Sequence, residues 1–248
     1  MLIKIIPNPK KQWAKEIAKE VKLFLISQNS KQNPKQQNTE RFKFVTRGAE
    51  VTICIGGDGT ILYANHKGKI EGTILGIGSE KSYICQLNQT NWKQKILVVL
   101  DRNVTKTIKI MTIQAEVNGE NYTAINDFVI HATHYRVAEI EIDVDNKLSS
   151  FEGDGLIVSS SIGSTGYAYS AGGEKLAPEN RKIEVIPICP YKRTFSAQTI
   201  TENSLVTVTP GNDCAFILDG IFIKKLKKGE RVKIQKGPNK IFFEGVGK

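Results

Sequence analysis

An apolar, β-branched run at residues 51–55 leads directly into Gly56-Gly57-Asp58-Gly59-Thr60, here called the Gly-rich turn. A continuous run of this kind is typical of a strand that is covered on both faces of a parallel sheet. Glycines permit positive φ and let backbone N–H groups approach phosphate oxygens without intervening side chains. The sequence therefore predicts a strand–turn–helix unit that can bind phosphate.

Asp58 stands between the glycines, beside the expected anion. A carboxylate is unfavourable there unless it takes a proton from a nucleophile or helps to hold a metal. The alternative is a tight strand–helix turn that is capped by Asp58 or Thr60 and binds nothing. The turn is not a P-loop, because no Gly-Lys-Ser/Thr follows the glycines, and it is not Gly-x-Gly-x-x-Gly.

The two halves of the chain differ in their patterns. The first half alternates strand and helix patterns, as in a parallel α/β sheet, with strands at 2–6, 51–55 and 73–77 and helices at 11–26, from 61, and at 91–100. A polar loop is predicted at 28–39. The second half is rich in short strand patterns, at 108–117, 122–130, 137–144, 205–208, 215–218, 231–234 and 240–243, with a hairpin turn at Asn118-Gly119.

We therefore expect two domains. Residues 1–105 form an α/β domain with a Rossmann-like parallel sheet. Residues 106–248 form an all-β, sandwich-like domain, whose last residues can return to the first domain. A chain of 248 residues with 40% hydrophobic content can bury the cores that this requires.

The charge and the cysteine content of the sequence limit which ligands, cellular location and metal sites are expected. The formal net charge of +10 favours anionic ligands, but no basic stretch is interleaved with aromatics, so nucleic acid is not expected. The chain starts with no signal peptide and has no apolar run that could span a bilayer, which predicts a cytoplasmic protein without membrane contact. Four scattered cysteines, without a Cys-x-x-Cys pair, indicate buried free thiols and no zinc site: Cys54, Cys85, Cys189 and Cys214.

The Gly-rich turn resembles a motif shared by NAD kinases, diacylglycerol and sphingosine kinases and, in a Gly-Gly-Asp-Gly-Ser form, phosphofructokinases. Two later stretches resemble NAD kinases in particular. Residues 125–131 are similar to their Asn-Glu segment, and residues 153–173 are similar to their second Gly-rich signature. The opening Ile-Ile-Pro-Asn-Pro and Leu218-Asp219-Gly220 fit as well, so the resemblance covers most of the chain.

The resemblance implies a phosphoryl transfer from ATP to the 2′-hydroxyl of the adenosine ribose of NAD. Asp58 is implied as the catalytic base, and no residue is assigned as a metal ligand. The divalent cation, usually Mg²⁺, comes with ATP, and some members of the family use polyphosphate. Homodimers or homotetramers are implied. The implied nucleotide-binding residues are Gly56, Gly57, Gly59, Thr60, Asn126, Asp127, Asp154, Thr165, Gly166, Tyr167 and Ser170.

The residue types suit a nucleotide. Tyr167 can stack on a flat ring, Asp127 and Asp154 can accept hydrogen bonds from ribose hydroxyls or amides, and Asn126 offers a donor and an acceptor. Hydroxyls of the Ser-rich residues 159–165 are expected to face polar ligand edges. The alternative is a Ser/Gly-rich loop with a core tyrosine.

The chain departs from the family pattern in several places. The usual Asn-Glu is Asn126-Asp127, Ile162 stands where the family has a hydroxyl, and Glu152 replaces a frequent basic residue. The loop Gly-x-Asn-x-Gly-x-Leu-Gly-Phe-Leu corresponds to residues 76–85, which lack its adenine-packing Phe; Tyr83 or Ile84 is a candidate replacement.

Two other functions stay open from the sequence. A lipid kinase would use the same turn with an apolar acyl pocket, and a non-catalytic dinucleotide-binding protein would explain the altered residues 76–85. His131 and His134 are interpreted as structural, and residues 224–228, Lys-Lys-Leu-Lys-Lys, as a solvated turn.

Overall fold

The computed structural model describes residues 1–29, 41–133 and 136–247. The chain divides into two compact units, one formed by Met1–Lys109 with Lys240–Lys248, and one formed by Ile110–Asn239. The loop predicted at 28–39 lies outside the described residues from residue 30 onward.

Four α-helices are present among the described residues: α1 Gln12–Asn29, α2 Asp58–His66, α3 Trp92–Val99 and α4 Tyr167–Ser170. Two 3-10 turns lie at Gly163–Thr165 and Tyr191–Arg193. The strands are β1 Leu2–Pro7, β2 Lys43–Phe44, β3 Val51–Ile55, β4 Thr73–Gly78, β5 Leu87–Asn88, β6 Thr107–Ile110, β7 Ile113–Val117, β8 Glu120–Ala124, β9 Asp127–Ala132, β10 Ala138–Val144, β11 Lys147–Gly153, β12 Gly155–Ser160, β13 Lys182–Ile188, β14 Gln198–Thr201, β15 Val206–Pro210, β16 Cys214–Leu218, β17 Ile221–Leu226, β18 Val232–Lys236 and β19 Lys240–Phe243.

The N-terminal unit is built on one mainly parallel sheet. Its strand order is β2-β1-β3-β4-β19-β6, with β5 paired to β4. Every residue of β3 and β4 is buried, as expected of central strands in an α/β sheet. Helix α1 packs on this sheet through Ala14, Ile17, Val21 and Leu25, which recur at helical spacing. The parallel α/β class that the sequence predicts is confirmed.

The C-terminal unit contains two six-stranded antiparallel sheets. One has the order β11-β10-β15-β18-β7-β8 and the other has the order β14-β13-β12-β9-β16-β17. Alternate residues of both sheets form one core, in which the rings of Phe128 and Phe216 stack with centroids 5.5 Å apart. The predicted all-β, sandwich-like class is also confirmed.

Two predicted strands are interrupted in the structure. The pattern at 108–117 is divided between β6 and β7, and the Thr112 hydroxyl between them donates to the carbonyl of Pro238 at 2.6 Å. The pattern at 122–130 is divided between β8 and β9, where a carboxylate binds the intervening amides. The hairpin turn is confirmed, since Asn118 and Gly119 have φ of 52° and 79°.

Several strands were not predicted because their apolar and polar residues alternate only weakly. Strands β11 to β14 and β17 carry polar or two-sided patterns that period-two reasoning does not find. Lys224 to Leu226 belong to β17, so the prediction of a turn at 224–228 is wrong there. Cys189 is exposed and Cys85 is partly buried, so the prediction of buried thiols holds for Cys54 and Cys214 alone.

Among the residues that the structure describes, no helix combines the length and the apolar character that a membrane crossing needs.

Two glycines that follow helix α2 allow a matched test of the packing. Gly68 and Gly72 have φ of 60° and 61°, but a Cβ on Gly68 meets nothing within 4 Å, whereas one on Gly72 overlaps the Glu50 carbonyl group. We expect Gly68→Ala to lower the free energy of unfolding by about 1 kcal/mol through left-handed strain. Gly72→Ala should cost about 1–3 kcal/mol more, because the backbone must move. Urea denaturation of both variants measures this difference, and equal losses would contradict the close approach.

Candidate functional site

The Gly-rich turn joins β3 to α2. Gly56 and Gly57 have φ of 144° and 97°, a region that favours glycine. A Cβ on Gly56 would overlap the Asn8 and Thr60 side chains. The first turn of a helix leaves its N–H groups without helical partners, so α2 directs the amides of Asp58 and Gly59 outward. The turn has the backbone that an anion site requires.

Side chains from the loop between β1 and α1 contact this turn. The Asn8 amide donates to the Thr60 hydroxyl at 3.1 Å, and the Lys11 ammonium donates to the Gly56 carbonyl at 2.6 Å. The Lys11 Nζ lies 3.9 Å from the position of a Cβ on Gly57. A positive charge is therefore held next to the amides of the turn, where it would attract phosphate.

Asp58 is held by two backbone amides. The N–H of Tyr83 donates to its Oδ2 at 2.7 Å, and the N–H of Ile84 donates to its Oδ1 at 3.0 Å. Bonds to both oxygens fix the plane of the carboxylate, while each oxygen keeps a further lone pair. The side chain is half-buried and can reach a ligand at the turn.

A cleft of about 1000 Å³ lies on one side of the turn, within the N-terminal unit. Gly59 and Thr60 belong to its wall. The cleft is also lined by three cationic side chains and one aromatic ring, from Lys10, Arg47, Lys69 and Tyr63. Lys4 also lines it, but its charge is balanced by Glu71, at 2.8 Å. The cleft suits an extended anion next to the Gly-rich turn.

A second cluster lies in the C-terminal unit, on the face of a sheet that points away from the sandwich core. Asp127, Ser159 and Glu184 are paired across β9, β12 and β13 and therefore share this face. Helix α4 covers the same face, where Ala168 packs on Val129 and its neighbours. The predicted residues Asn126, Asp127 and Tyr167 thus belong to one region of the fold.

Asp219 binds the backbone segment that leads into this cluster. Its carboxylate accepts hydrogen bonds from the amides of Ile125, Asn126 and Asp127, at 3.0, 2.7 and 3.1 Å. Asp219 and Gly220 form the two-residue turn between β16 and β17, with φ of 48° and 76°. Asp219 belongs to the Leu218-Asp219-Gly220 segment that resembles the family, but it is not among the predicted site residues. The Asp-Gly turn signal was visible, but its contact with residues 125–127 is not a local property.

Asp127 and Asp219 affect each other electrostatically. Asp127 is 6% exposed. Burial, and then the negative charge of Asp219, raise the pKa of Asp127 to about 7. Burial also raises the pKa of Asp219, to about 6, against the lowering effect of its three amide donors. The pair can therefore hold a proton near neutral pH.

Asn126 has a fixed backbone and a side-chain oxygen that makes no hydrogen bond within the described residues. Its Oδ1 is buried with no hydrogen-bond partner among the described residues. Its backbone carbonyl accepts from the Ser160 amide at 2.8 Å, and a Cβ on Gly163 would overlap that carbonyl. A buried acceptor of this kind is available to a ligand donor.

The Ser-rich stretch differs from its prediction. Ser159, Ser160, Ser161 and Ser164 are at most 1% exposed, and their hydroxyls donate to backbone carbonyls. These serines hold the loop together, so the expectation that they face a ligand is wrong. The predicted residues Thr165, Gly166, Tyr167 and Ser170 are exposed or half-buried, and so is Tyr169.

Asp154 and Tyr167 lie near each other. Burial raises the pKa of Tyr167, and the neighbouring acidic groups Cys189, Asp154 and Asp127 raise it further. The Asp154 backbone is fixed by hydrogen bonds with Ile188 and Ala132, at 2.9 and 2.7 Å. The tyrosine ring, 44% exposed, is presented beside carboxylates that can accept from a ligand.

The histidines contribute little to either cluster. His131 Nδ1 lies 2.9 Å from the carbonyl of Ala132, which supports a structural role. His134 lies outside the described residues. Within the described ranges, no group of three or more His, Cys, Asp or Glu side chains could hold a metal ion.

Comparison with known proteins adds independent information. Residues 125–244 match a family model described as the ATP-NAD kinase C-terminal domain. An NAD kinase of Clostridium perfringens is 31% identical over 207 residues, which is 78% of this chain and 73% of that protein. An NAD kinase of Chloroherpeton thalassium is 28% identical over 227 residues, 88% of this chain and 80% of that protein.

A solved structure shows the same fold. The crystal structure of an NAD kinase from Archaeoglobus fulgidus in complex with ATP matches with a TM-score of 0.79 at 19% identity. The match covers 99% of this chain and 94% of that chain.

The buried carboxylates of Asp127 and Asp219 predict an unusual pH dependence of the free energy of unfolding. The folded protein keeps the Asp127 proton up to about pH 7, whereas an unfolded aspartate releases it near pH 4. Stability should therefore fall as the pH rises between these values. We expect Asp127→Asn to be more stable than the wild type at pH 8, by roughly 1–3 kcal/mol, and to lose this advantage at pH 5.

Urea denaturation at both pH values tests this expectation. Asp219→Asn is the matched control, because it removes the other charge but also replaces one of the two oxygens that accept the three amides, and should be destabilised at both pH values. An Asp127→Asn variant with the same stability change at pH 5 and pH 8 would contradict the raised pKa.

Proposed function

The chain belongs to the NAD kinase family, and from this membership we infer that it transfers the terminal phosphoryl group of ATP to the 2′-hydroxyl of the adenosine ribose of NAD, giving NADP. The observation that carries this conclusion is an oriented Asp58 carboxylate in a turn whose backbone can bind phosphate. The relatives that match most of the chain are NAD kinases, so a lipid kinase with the same turn is not favoured.

Asp58 is the base in this proposal. Its carboxylate accepts the proton of the ribose 2′-hydroxyl as that oxygen attacks the terminal phosphorus of ATP and the bond to the leaving ADP breaks. Phosphoryl transfer depends mainly on position and on stabilisation of charge. The amides of the Gly-rich turn and the Lys11 ammonium are suited to the second task, because they lie together at the turn.

The phosphoryl donor occupies the cleft beside the Gly-rich turn. Two observations support this placement. Lys10, Arg47 and Lys69 give the cleft a positive charge, and Gly59 and Thr60 of the Gly-rich turn form part of its wall. Tyr63, 46% exposed, offers an aromatic face for a base. A cationic cleft also accepts a longer phosphate chain, which supports polyphosphate as a further donor.

The divalent cation, Mg²⁺, enters with ATP as part of the substrate. Mg²⁺ keeps several waters and binds substrate phosphates, so it needs few protein ligands. Asp58 fits this mode, because both of its oxygens already accept backbone amides. When bound, the cation would neutralise charge on the phosphates.

The dinucleotide binds in the C-terminal unit to Asn126, Asp127, Asp154 and the loop from Thr165 to Ser170. Support comes from the unpartnered Oδ1 of Asn126 and from the exposed ring of Tyr167 beside two carboxylates. A cytoplasmic homodimer or homotetramer completes the proposal, and light scattering of the purified protein tests the assembly.

Removal of the base gives a direct test. We expect Asp58→Asn to lower kcat for NADP formation by about 10²- to 10⁴-fold, because proton transfer to a positioned base contributes that much. NAD binding by calorimetry should be retained, which separates chemistry from folding. Full activity in this variant would exclude Asp58 as the base, and wild-type protein that forms no NADP with any donor would exclude the reaction.

The cleft makes a separate prediction about the donor. Lys69→Ala should raise KM for ATP several-fold and leave KM for NAD unchanged, because one phosphate-facing charge is lost. Lys93→Ala, an exposed lysine of α3 outside the cleft, is the matched control for the loss of charge. Steady-state kinetics with each substrate varied would refute the placement if both variants behave alike.

A further inference from the structure

Glu184 is a buried carboxylate that the catalytic proposal does not use. It belongs to β13, on the face of the sheet that points away from the sandwich core, and it is 1% exposed. Its Oε1 accepts the backbone amide of Glu174 at 2.7 Å, whereas its Oε2 is buried without a hydrogen-bond partner among the described residues. The hydrogen bond to residue 174 is therefore the polar contact that this side chain makes in the described part of the chain.

Glu174 follows the turn that ends helix α4, and this turn lies directly against the sheet. The amide of Gly173 donates to the Ala168 carbonyl at 3.0 Å. A Cβ on Gly173 would lie 3.0 Å from the Glu184 Oε1 and 3.1 Å from the Ile186 Cδ1, so a side chain there would force these neighbours to shift. The turn after α4 and the Glu184 carboxylate are therefore in close contact.

A second buried contact closes the same segment. The Ser164 hydroxyl accepts from the Leu176 amide at 2.9 Å and donates to the Ser161 carbonyl at 2.7 Å. This contact joins the two ends of the segment, and the Glu184–Glu174 hydrogen bond ties its C-terminal end to the sheet. Helix α4 has four residues, too few to be stable by itself, so its position depends on these contacts.

Glu184 is not a residue that stability alone would favour at this position. Burial removes water from both carboxylate oxygens, and one of them gains no partner among the described residues. An apolar side chain of similar size is often at least as stabilising as a buried charge. The distinctive contribution of the carboxylate is therefore the acceptor that it presents to the loop.

We propose that Glu184 is a positioning residue for dinucleotide binding: its Oε1 holds the Glu174 amide and so fixes the loop from Thr165 to Ser170 in the conformation that contacts NAD. This inference rests on the proposed function, which assigns that loop to the dinucleotide. Glu184 is buried, so it acts through the loop and not by contact with the substrate. A loop that is only partly in its binding conformation lowers the apparent affinity by the populated fraction.

Two substitutions at residue 184 separate the acceptor from the packing. Glu184→Met has a similar length but lacks the oxygen acceptor, and we expect KM for NAD to rise about 3- to 10-fold, the effect of one ordinary hydrogen bond. The values of kcat and of KM for ATP should stay near those of the wild type, because the loss is one of NAD binding. Glu184→Gln keeps an acceptor for the Glu174 amide and should restore KM for NAD.

Val185→Ala is the matched control for a loss of stability. Val185 is the next residue of β13 and belongs to the sandwich core, on the opposite face from Glu184. Its truncation leaves a cavity in the core and should lower the free energy of unfolding in urea denaturation. Because the loop is not touched, KM for NAD should stay at the wild-type value.

Hydrogen exchange followed by mass spectrometry gives a readout that does not depend on activity. Peptides that cover residues 171–176 report the amides of Gly173 and Glu174, which are bonded in the folded protein. These amides should exchange faster in Glu184→Met than in the wild type or in Glu184→Gln, because the loop opens more often.

Each result bears on a different step of the proposal. Unchanged exchange at residues 171–176 in Glu184→Met would overturn the contact that holds the loop, and a Glu184→Gln variant that behaves like Glu184→Met would overturn the acceptor. Faster exchange with an unchanged KM for NAD, or an equal rise in KM for ATP, would overturn the role in dinucleotide binding. Wild-type protein that forms no NADP, but whose NAD affinity by calorimetry still falls in Glu184→Met, would instead refute the reaction and keep the positioning role.

Discussion

The hydrogen bonds from Tyr83 and Ile84 to Asp58 connect the two parts of the N-terminal site. They join the turn after β3 to the segment after β4, two neighbouring strands of the parallel sheet. Because the donors are backbone amides, the contact survives changes of side chain in residues 76–85. This explains how a segment that departs from the family pattern can keep its place beside the Gly-rich turn.

In the C-terminal unit, too, a carboxylate accepts backbone amides, and there it fixes the path of the chain. Asp219 accepts three consecutive amides at the break between β8 and β9, and so sets the path of the chain at Asn126. This arrangement leaves a second carboxylate, that of Asp127, buried nearby, and its pKa is raised by burial and by the charge of Asp219. Burial of this carboxylate favours its binding to a proton or to a ligand donor.

The features that depend only on neighbouring residues of the chain were predicted correctly. The strand, the glycines and the start of a helix around Asp58 follow from apolar continuity and from backbone stereochemistry, and the structure has them in place. The prediction failed for Ser159 to Ser161, because a hydroxyl that faces a ligand and one that binds a backbone carbonyl have the same sequence. The interrupted strands failed for a related reason, since the interruption depends on distant partners of the chain.

The sequence by itself determined the fold class, the Gly-rich turn and the family, because periodicity, glycine placement and motif order are properties of the chain. Only the tertiary structure decided which carboxylates meet amides or each other. Asp127 and Asp219 are far apart in sequence, and Asp58 meets the amides of Tyr83 and Ile84 through the neighbouring strands β3 and β4. Burial and proximity of this kind set the protonation and orientation of a side chain, and they exist only once the chain has folded.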